Sequence, residues 1–211
     1  MKLPYRFEDM TLAQFIKLYE LDQNKDIDTI DKNVNKLAIL SGNSVEAIEL
    51  LDLKHIRYYL TKINYTSNVP KNLSIPKRFW CGKYLLTPTI SLQEMGVNQM
   101  VDFFSIIKAN NNNYISCAND LLAVMFKPYK FIGKSKYSPD AHSKISKQLL
   151  SAKVGDCLGL LFFYLDLWMR CEPLILTYLE NSNQTIEEIM KEIQNDKEFQ
   201  DFLIRGDGNI I

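Results

Sequence analysis

Asp22, Asn24 and Asp26 alternate along "DQNKDIDTIDKN" at the spacing of the first three ligands in a calcium-binding EF-hand loop. The rest of that loop is missing: Ile27 stands where a glycine makes the tight turn, and Asn33 where a bidentate glutamate closes the coordination sphere. An acidic loop that caps the following helix accounts for the same residues. His55 and His142 are far apart in the chain and neither lies in an HExxH pair. The carboxylate nearest His142 in sequence, Asp140, is two positions away and so lies on a different helical face. Asp156 and Asp166 belong to the most apolar part of the chain, but ten helical residues separate them by about 15 Å, too far for the paired carboxylates of a glycoside hydrolase. Asp156 reads as a helix N-terminal residue favoured by the dipole, and Asp166 as a buried polar contact or interface group. The GxSxG, GxxxxGK[ST] and GxGxxG signatures do not occur. The residues thus point to no catalytic group, no metal and no cofactor, and a non-enzymatic role is the expectation.

Cys81, Cys117, Cys157 and Cys171 show no CxxC spacing. With no cationic, apolar leader at the start, they read as buried free thiols in a reducing compartment. The longest greasy run, "LGLLFFYLDLWM" (158–169), is short of the roughly 20 residues that span a bilayer and contains Asp166, so no membrane span is expected.

Charge is uneven although its sum is zero, with 25 basic and 25 acidic residues among 211. Between Leu53 and Lys83 there are seven Lys or Arg and no acid, interleaved with Tyr58, Tyr59, Tyr65, Phe79 and Trp80. Between Lys127 and Lys153 seven lysines face only Asp140, while the stretches Glu8 to Asp31 and Glu180 to Asp201 are acidic. Cations among aromatics can follow a phosphate backbone and stack bases. The same layout also serves assembly in which an acidic end of one copy meets the basic middle of another, and a solvated face accounts for it as well.

The elements that would carry these residues are mostly helices. Leu12, Phe15, Ile16 and Tyr19 recur at helical spacing after an Asp9 or Thr11 cap, and Ile27, Ile30, Val34, Leu37 and Leu40 form a second stripe that stops at Gly42. Ser44 and Asp52 open two more short helices, giving a helical N-terminal unit over 1–66. Pro70, Pro76, Pro88 and Gly82 predict an extended or β-hairpin insertion over 67–96, the one place where strands are expected. A main helical bundle over 97–180 follows, in which "NNNN" (110–113) makes a turn, Ser138 and Pro139 start a helix, and a helix greasy on nearly all sides runs from Asp156 to Arg170 or on through Pro173. Thr185 and Glu188 form a capping box for an acidic amphipathic helix and tail over 181–211, with Ile186, Ile189, Met190, Ile193, Phe199 and Phe202 expected on one side. The fold class is mainly α, a bundle of short helices with a small β insertion.

Within that bundle, "YISCANDLLAVMFKPYKF" (114–131) reads as a core helix halted at Pro128 that delivers a basic, aromatic loop to the surface. Lys127, Tyr129, Lys130, Lys134, Lys136 and Tyr137, with Arg78, Phe79 and Trp80 of the insertion, are the expected partner-binding residues.

The order of "MTLAQFIKLYEL" (10–21), "KLAILSGNSVEAIELLDL" (36–53), "DLLAVMFKP" (120–128), a basic Gly/Lys/Tyr loop and "GDCLGLLFFYLDLWMRCEPLILTYLE" (155–180) resembles small helical proteins of crAss-like tailed bacteriophages, the tail-assembly-chaperone-like and virion-associated group. The matching pieces are the opening "MTLxxFI" helix, the "ILSG" turn at Ile39 to Gly42, the helix ending at Lys127 and Pro128, the "LFFYL" of Leu161 to Leu165 and the "L-x-Y-L" of Leu176 to Leu179. The resemblance spans roughly residues 10–180 and leaves out "NVPKNLSIPKRFW" and the acidic segment after Thr185. It implies a structural or cargo protein packaged in the tail or portal region and possibly ejected with the genome, made in the host bacterial cytoplasm. It equally admits a tail-assembly chaperone absent from the mature particle. Partners would be other phage virion or tail proteins and further copies of the chain; a nucleic-acid-binding module built on residues 53–83 is the reading from another class. Exchanging Lys130, Lys134 and Lys136 for Glu is expected to abolish association with the partner in a co-purification assay. Unaltered binding would remove the loop from the interface.

Overall fold

Helix α1 (Leu12–Gln23) starts with a reciprocal cap in which the Thr11 hydroxyl accepts from the Gln14 backbone N–H and the Gln14 side chain accepts from that of Thr11. The computed structural model describes residues 1–68, 70, 73–90, 95–129 and 137–181, with the side chains of the last helix described to Asp166 and at Met169. Gln14 also donates to the Ile39 and Leu40 carbonyls at the end of α2 (Thr29–Ser41), at 3.3 and 2.9 Å, which fixes α1 against α2. The acidic loop between them does cap the next helix, since the Asp28 carboxylate accepts from the N–H groups of Ile30 and Asp31. Asp22 binds Lys32 and Lys36 at 3.0 and 3.1 Å. Burial pushes its carboxyl upward, yet the two ammonium groups prevail and hold it below its ordinary range. Gly42 ends α2 at φ 72°, the left-handed backbone expected there. Helices α3 (Val45–Glu49) and α4 (Leu53–Lys62) and a 3₁₀ turn (Asn64–Ser67) complete the helical stretch.

The insertion contains the hairpin of β1 (Phe79–Cys81) and β2 (Tyr84–Pro88), closed by Gly82 and Lys83. Gly82 takes φ 56° at the first loop position, the conformation that a glycine-first two-residue turn needs. A third strand was not expected. The helix predicted to run to Pro128 ends three residues earlier, and Phe126–Pro128 pairs antiparallel with β2 as β3. The reason is local: Pro128 drives Lys127 out of helical dihedrals, and Phe126 is already extended at φ −97°, ψ 137°. The proline also sits at the outer end of an edge strand, where its missing N–H breaks no ladder.

Among the described residues four further helices follow the hairpin. These are α5 (Val97–Ala109), α6 (Ala118–Met125), α7 (Pro139–Leu149), which begins at Ser138 and Pro139 as its sequence predicts, and α8 (Val154–Asn181), which continues past Pro173. The asparagine run turns the chain between α5 and α6 with Asn111 and Asn112 at φ 51° and 61°, which this residue type tolerates better than most. The residue pattern of α8 suited the middle of a bundle, but α6 is the central helix. Leu121 through Phe126 are all buried, and α6 packs against α1, α5, α7 and α8. In α8 the buried part begins at Val154, and Phe162 and Phe163 are already partly exposed.

Two seams close the core. At the first, α1 opens against the α7–α8 corner: Leu12 and Ala13 donate to the Ala152 and Leu150 carbonyls at 2.8 and 3.0 Å, and Val154 donates to Met10 at 2.8 Å. First-turn amides that helix geometry leaves without partners are thus satisfied by a distant part of the chain. At the second, the segment before β1 crosses α8 at Gly159, where an added Cβ would meet the Ser74 carbonyl oxygen at 2.6 Å and that of Leu73 at 2.8 Å. Gly155, one turn earlier, makes the same allowance for Glu8.

Gly159→Ala should gain about 1 kcal/mol of helix propensity and still lose stability, because a backbone carbonyl occupies the space. Its Tm is expected to fall by about 3 °C or more, against little change for Gly96→Ala, where nothing lies within 4 Å. A Tm equal to or above that of the parent would show that residues 73–74 do not cross α8 at this point.

Candidate interaction surface

The short strands of the hairpin sort the expected binding residues by face. Side chains alternate along β1, so Phe79 and Cys81 point inward and Trp80 outward. Phe79 is buried edge-to-face against Phe126, ring centroids 4.9 Å apart, and belongs to the core. Lys127 is buried opposite Thr87 in the β2–β3 ladder and is not a free cation. Both were expected at a partner-binding surface, and burial makes each a packing residue instead. Arg78, Trp80 and Tyr129 remain accessible: the Arg78 guanidinium lies 4.0 Å from the Tyr129 ring centroid, and the Tyr129 N–H donates to Leu85 at 2.7 Å, prolonging the ladder. Lys130, Lys134 and Lys136 lie outside the described residues.

Tyr137 is placed elsewhere. It stands before α7, the helix whose other end brings Gln148 against Gly82 of the hairpin turn. Its phenol donates to the Asp102 carboxylate on α5 at 2.5 Å, and burial, with that carboxylate, pushes its pKa well up. The two residues line a groove of about 390 Å³ with Asn110, Asp120 and His142. Beside it are Asp, His and Ser together, the side-chain types of a nucleophilic triad, but they are not wired as one. Ser146 is buried, donates to the Asp120 carboxylate and accepts from Asn119 at 2.8 Å. His142 Nε2 meets the Asp120 backbone carbonyl at 3.0 Å, so the imidazole is positioned as a donor and not as a base for the hydroxyl. The cluster ties α7 to α6.

The described cysteines conform to packing, and the side chain of Cys171 lies outside the described residues. Cys81, Cys117 and Cys157 are free and buried, and burial raises the thiols of Cys81 and Cys117 to about 11. Such groups are weak nucleophiles near neutral pH.

The surface feature that the sequence reading did not resolve into residues is α4. Ile56, Tyr59 and Leu60 pack on the core, with buried Ile63 one turn further on, at the i, i+3, i+4, i+7 spacing of one helical stripe. At 100° per residue the opposite side presents Lys54, Arg57 and Thr61, flanked by Leu53 and Tyr58. No residue of α4 is fully buried. Leu53 is 73% exposed, Tyr58 55%, and Leu50 at the end of α3 is 88% exposed. Lys62 lies 5.3 Å from the Tyr58 ring centroid. Among the described residues no ion pair involves Lys54, Arg57, Lys62, Lys77, Arg78 or Lys83. The acids nearest in sequence, Glu46, Glu49 and Asp52, lie in or just after α3, ahead of this face. The available signal was Leu53, which continues the line of Ile56 and Leu60 one turn earlier yet is exposed, on a helix that carries no acid.

Compared with protein-family models, with curated proteins and with solved structures, the chain matches none. No described helix is long and apolar enough to cross a membrane.

The division of β1 into inner and outer residues can be measured. Phe79→Ala should cost about 3–5 kcal/mol of unfolding free energy, as expected for a buried aromatic, while Trp80→Ala should stay within about 0.5 kcal/mol. Denaturant unfolding of the two variants distinguishes them, and comparable losses would mean that Trp80 is a core residue.

Proposed function

We propose that this protein acts by binding other proteins rather than by transforming a substrate, and that the outer face of α4 is its principal contact. What supports this reading is one observation: exposed Leu53 and Tyr58, with Leu50 beside them, surround cations that no described carboxylate neutralises. Exposed apolar side chains and weakly hydrated Arg are the material of interface centres, and unpaired charge steers the encounter. The setting we propose is a tailed bacteriophage particle, in its tail or portal region, and the segments quoted above that resemble proteins of crAss-like phages are its support. A tail-assembly chaperone that leaves before maturation would use the same face.

A second reading has its own observation. Lys54, Arg57, Lys62, Lys77, Arg78 and Lys83, together with exposed Tyr58 and Trp80, form an acid-free set that can follow phosphates and stack bases of a single strand.

Quantitative mass spectrometry of gradient-purified particles of the phage encoding the chain, beside the infected-cell lysate, separates the roles. Many copies per particle are expected, falling about tenfold or more for Leu53→Asp. Abundance in the lysate with none in the particle selects the chaperone. Unaltered incorporation of the variant would overturn α4 as the contact, and steeply salt-dependent binding of a single-stranded oligonucleotide would replace it with the nucleic-acid reading.

A further inference from the structure

The outer face of α4 has a partner of matching chemistry within the same sequence. From Thr185 to Leu203 the chain holds six acids and two lysines, and its helical period sets Ile186, Ile189 and Ile193 on one side with Glu187, Glu188 and Glu192 around them. Residues 53–62 hold Lys54, Arg57 and Lys62 and no acid, beside exposed Leu53 and Leu50. One is an acidic amphipathic helix by its sequence; the other is a basic helix face with apolar side chains left uncovered. We infer that residues 185–203 of a second copy dock along the outer face of α4, seating the isoleucine stripe on Leu50 and Leu53 and its glutamates on Lys54 and Arg57. This deepens the association reading given above and rests on it.

The path of α8 favours a second copy over the chain's own segment. Its first turn lies against Glu8 through Gly155. That end of the molecule also anchors α4 and the turn after it, because the Tyr65 hydroxyl donates to the Pro4 carbonyl at 2.9 Å and the N-terminal ammonium donates to the Tyr59 hydroxyl at 3.3 Å. From Gly155 to Asn181 the helix carries the chain about 39 Å along its axis, away from this end. Nineteen helical residues span about 28 Å, less than that 39 Å, so a segment turned straight back along α8 would fall short of the anchored end of α4. In a neighbouring copy nothing limits the reach. Because the two surfaces differ, the contact is heterologous, and repeating it builds rings or open chains of copies.

Charge reversal on the full chain tests this. Sedimentation velocity of the parent should show association that grows with concentration and weakens as salt rises from about 0.05 to 0.5 M. Lys54→Glu with Arg57→Glu, and separately Glu188→Lys with Glu192→Lys, should each lower the association constant about tenfold or more. An equimolar mixture of these two variants, or one chain carrying all four changes, should regain it, which a fold defect would not do. Far-UV circular dichroism and Tm of the variants should match the parent, since the α4 residues are exposed. A monomeric parent, including one whose residues 185–203 cross-link to α4 within a single chain, overturns the inference. So does self-association that ignores both reversals. Loss of Leu53→Asp from particles alongside either result would show that the broader association reading stands and only this occupant is wrong.

Discussion

The fold turns on how the C-terminal end of α6 is satisfied inside the core. A helix leaves its last four carbonyls without internal partners, and each one buried unpaired costs about 1–3 kcal/mol. Here three of the four are answered from different parts of the chain. The Phe126 N–H caps Leu122, the Thr89 N–H donates to Met125 at 2.9 Å, and the side-chain amide of Gln99 donates to Val124. Thr89 and Gln99 are themselves buried, and the Tyr164 hydroxyl of α8 donates to the Thr89 carbonyl. The Gln99 amide thus reaches both the Thr89 hydroxyl and the Val124 carbonyl.

That one terminus arranges the rest. Because Thr89 follows β2 directly, holding Met125 places β2 beside the residues that emerge from α6, and Phe126 to Pro128 become a strand by proximity as well as by the effect of Pro128. Gln99 brings α5 and Tyr164 brings α8 to the same point. The two seams then fix the periphery: α1 against the α7–α8 corner through backbone bonds, and the segment before β1 across Gly159. The helices around α6 need little sequence of special character, since their positions are set by groups that must be paired.

Helices were legible wherever local chemistry acts alone. Thr11, Gly42 and Ser44 mark boundaries through caps that depend on neighbours in sequence, Pro139 marks one by its place in the first turn although the Ser138 hydroxyl makes no cap, and the Gly82 turn marks the hairpin in the same way. What sequence could not show was produced at long range. Phe126 to Pro128 has too few residues to declare a strand, and its partner lies some 40 positions earlier. Gln99 and Thr89 look like ordinary polar residues until Val124 and Met125 stand opposite them. The residue pattern of α8 suits the middle of a bundle, whereas among the described residues α6 holds that place, because burial depends on how many elements surround a helix and not on its own greasiness alone. Among the expected binding residues, the two-residue period of β1 turns Phe79 inward and leaves Trp80 out.

The same distinction bears on α4. A solitary exposed leucine is ordinary, because folded surfaces carry much apolar area. The α4 face is not that case, for the inward stripe of Ile56, Tyr59, Leu60 and Ile63 already fixes the helix to the core. Leu53 and Tyr58 add nothing to that packing, and the cations between them gain nothing from any described carboxylate. Stability alone would accept a glutamate at several of these positions, where i, i+4 pairs with Lys54 or Lys62 would contribute a few tenths of a kcal/mol each. A stretch that carries seven basic residues and no acid forgoes those pairs throughout, while the acids collect at the two ends of the chain. Separation of charge on a molecule with no net charge leaves its monomer weakly steered at long range and strongly complementary at contact. That combination favours binding between specific surfaces over general attraction to polyanions.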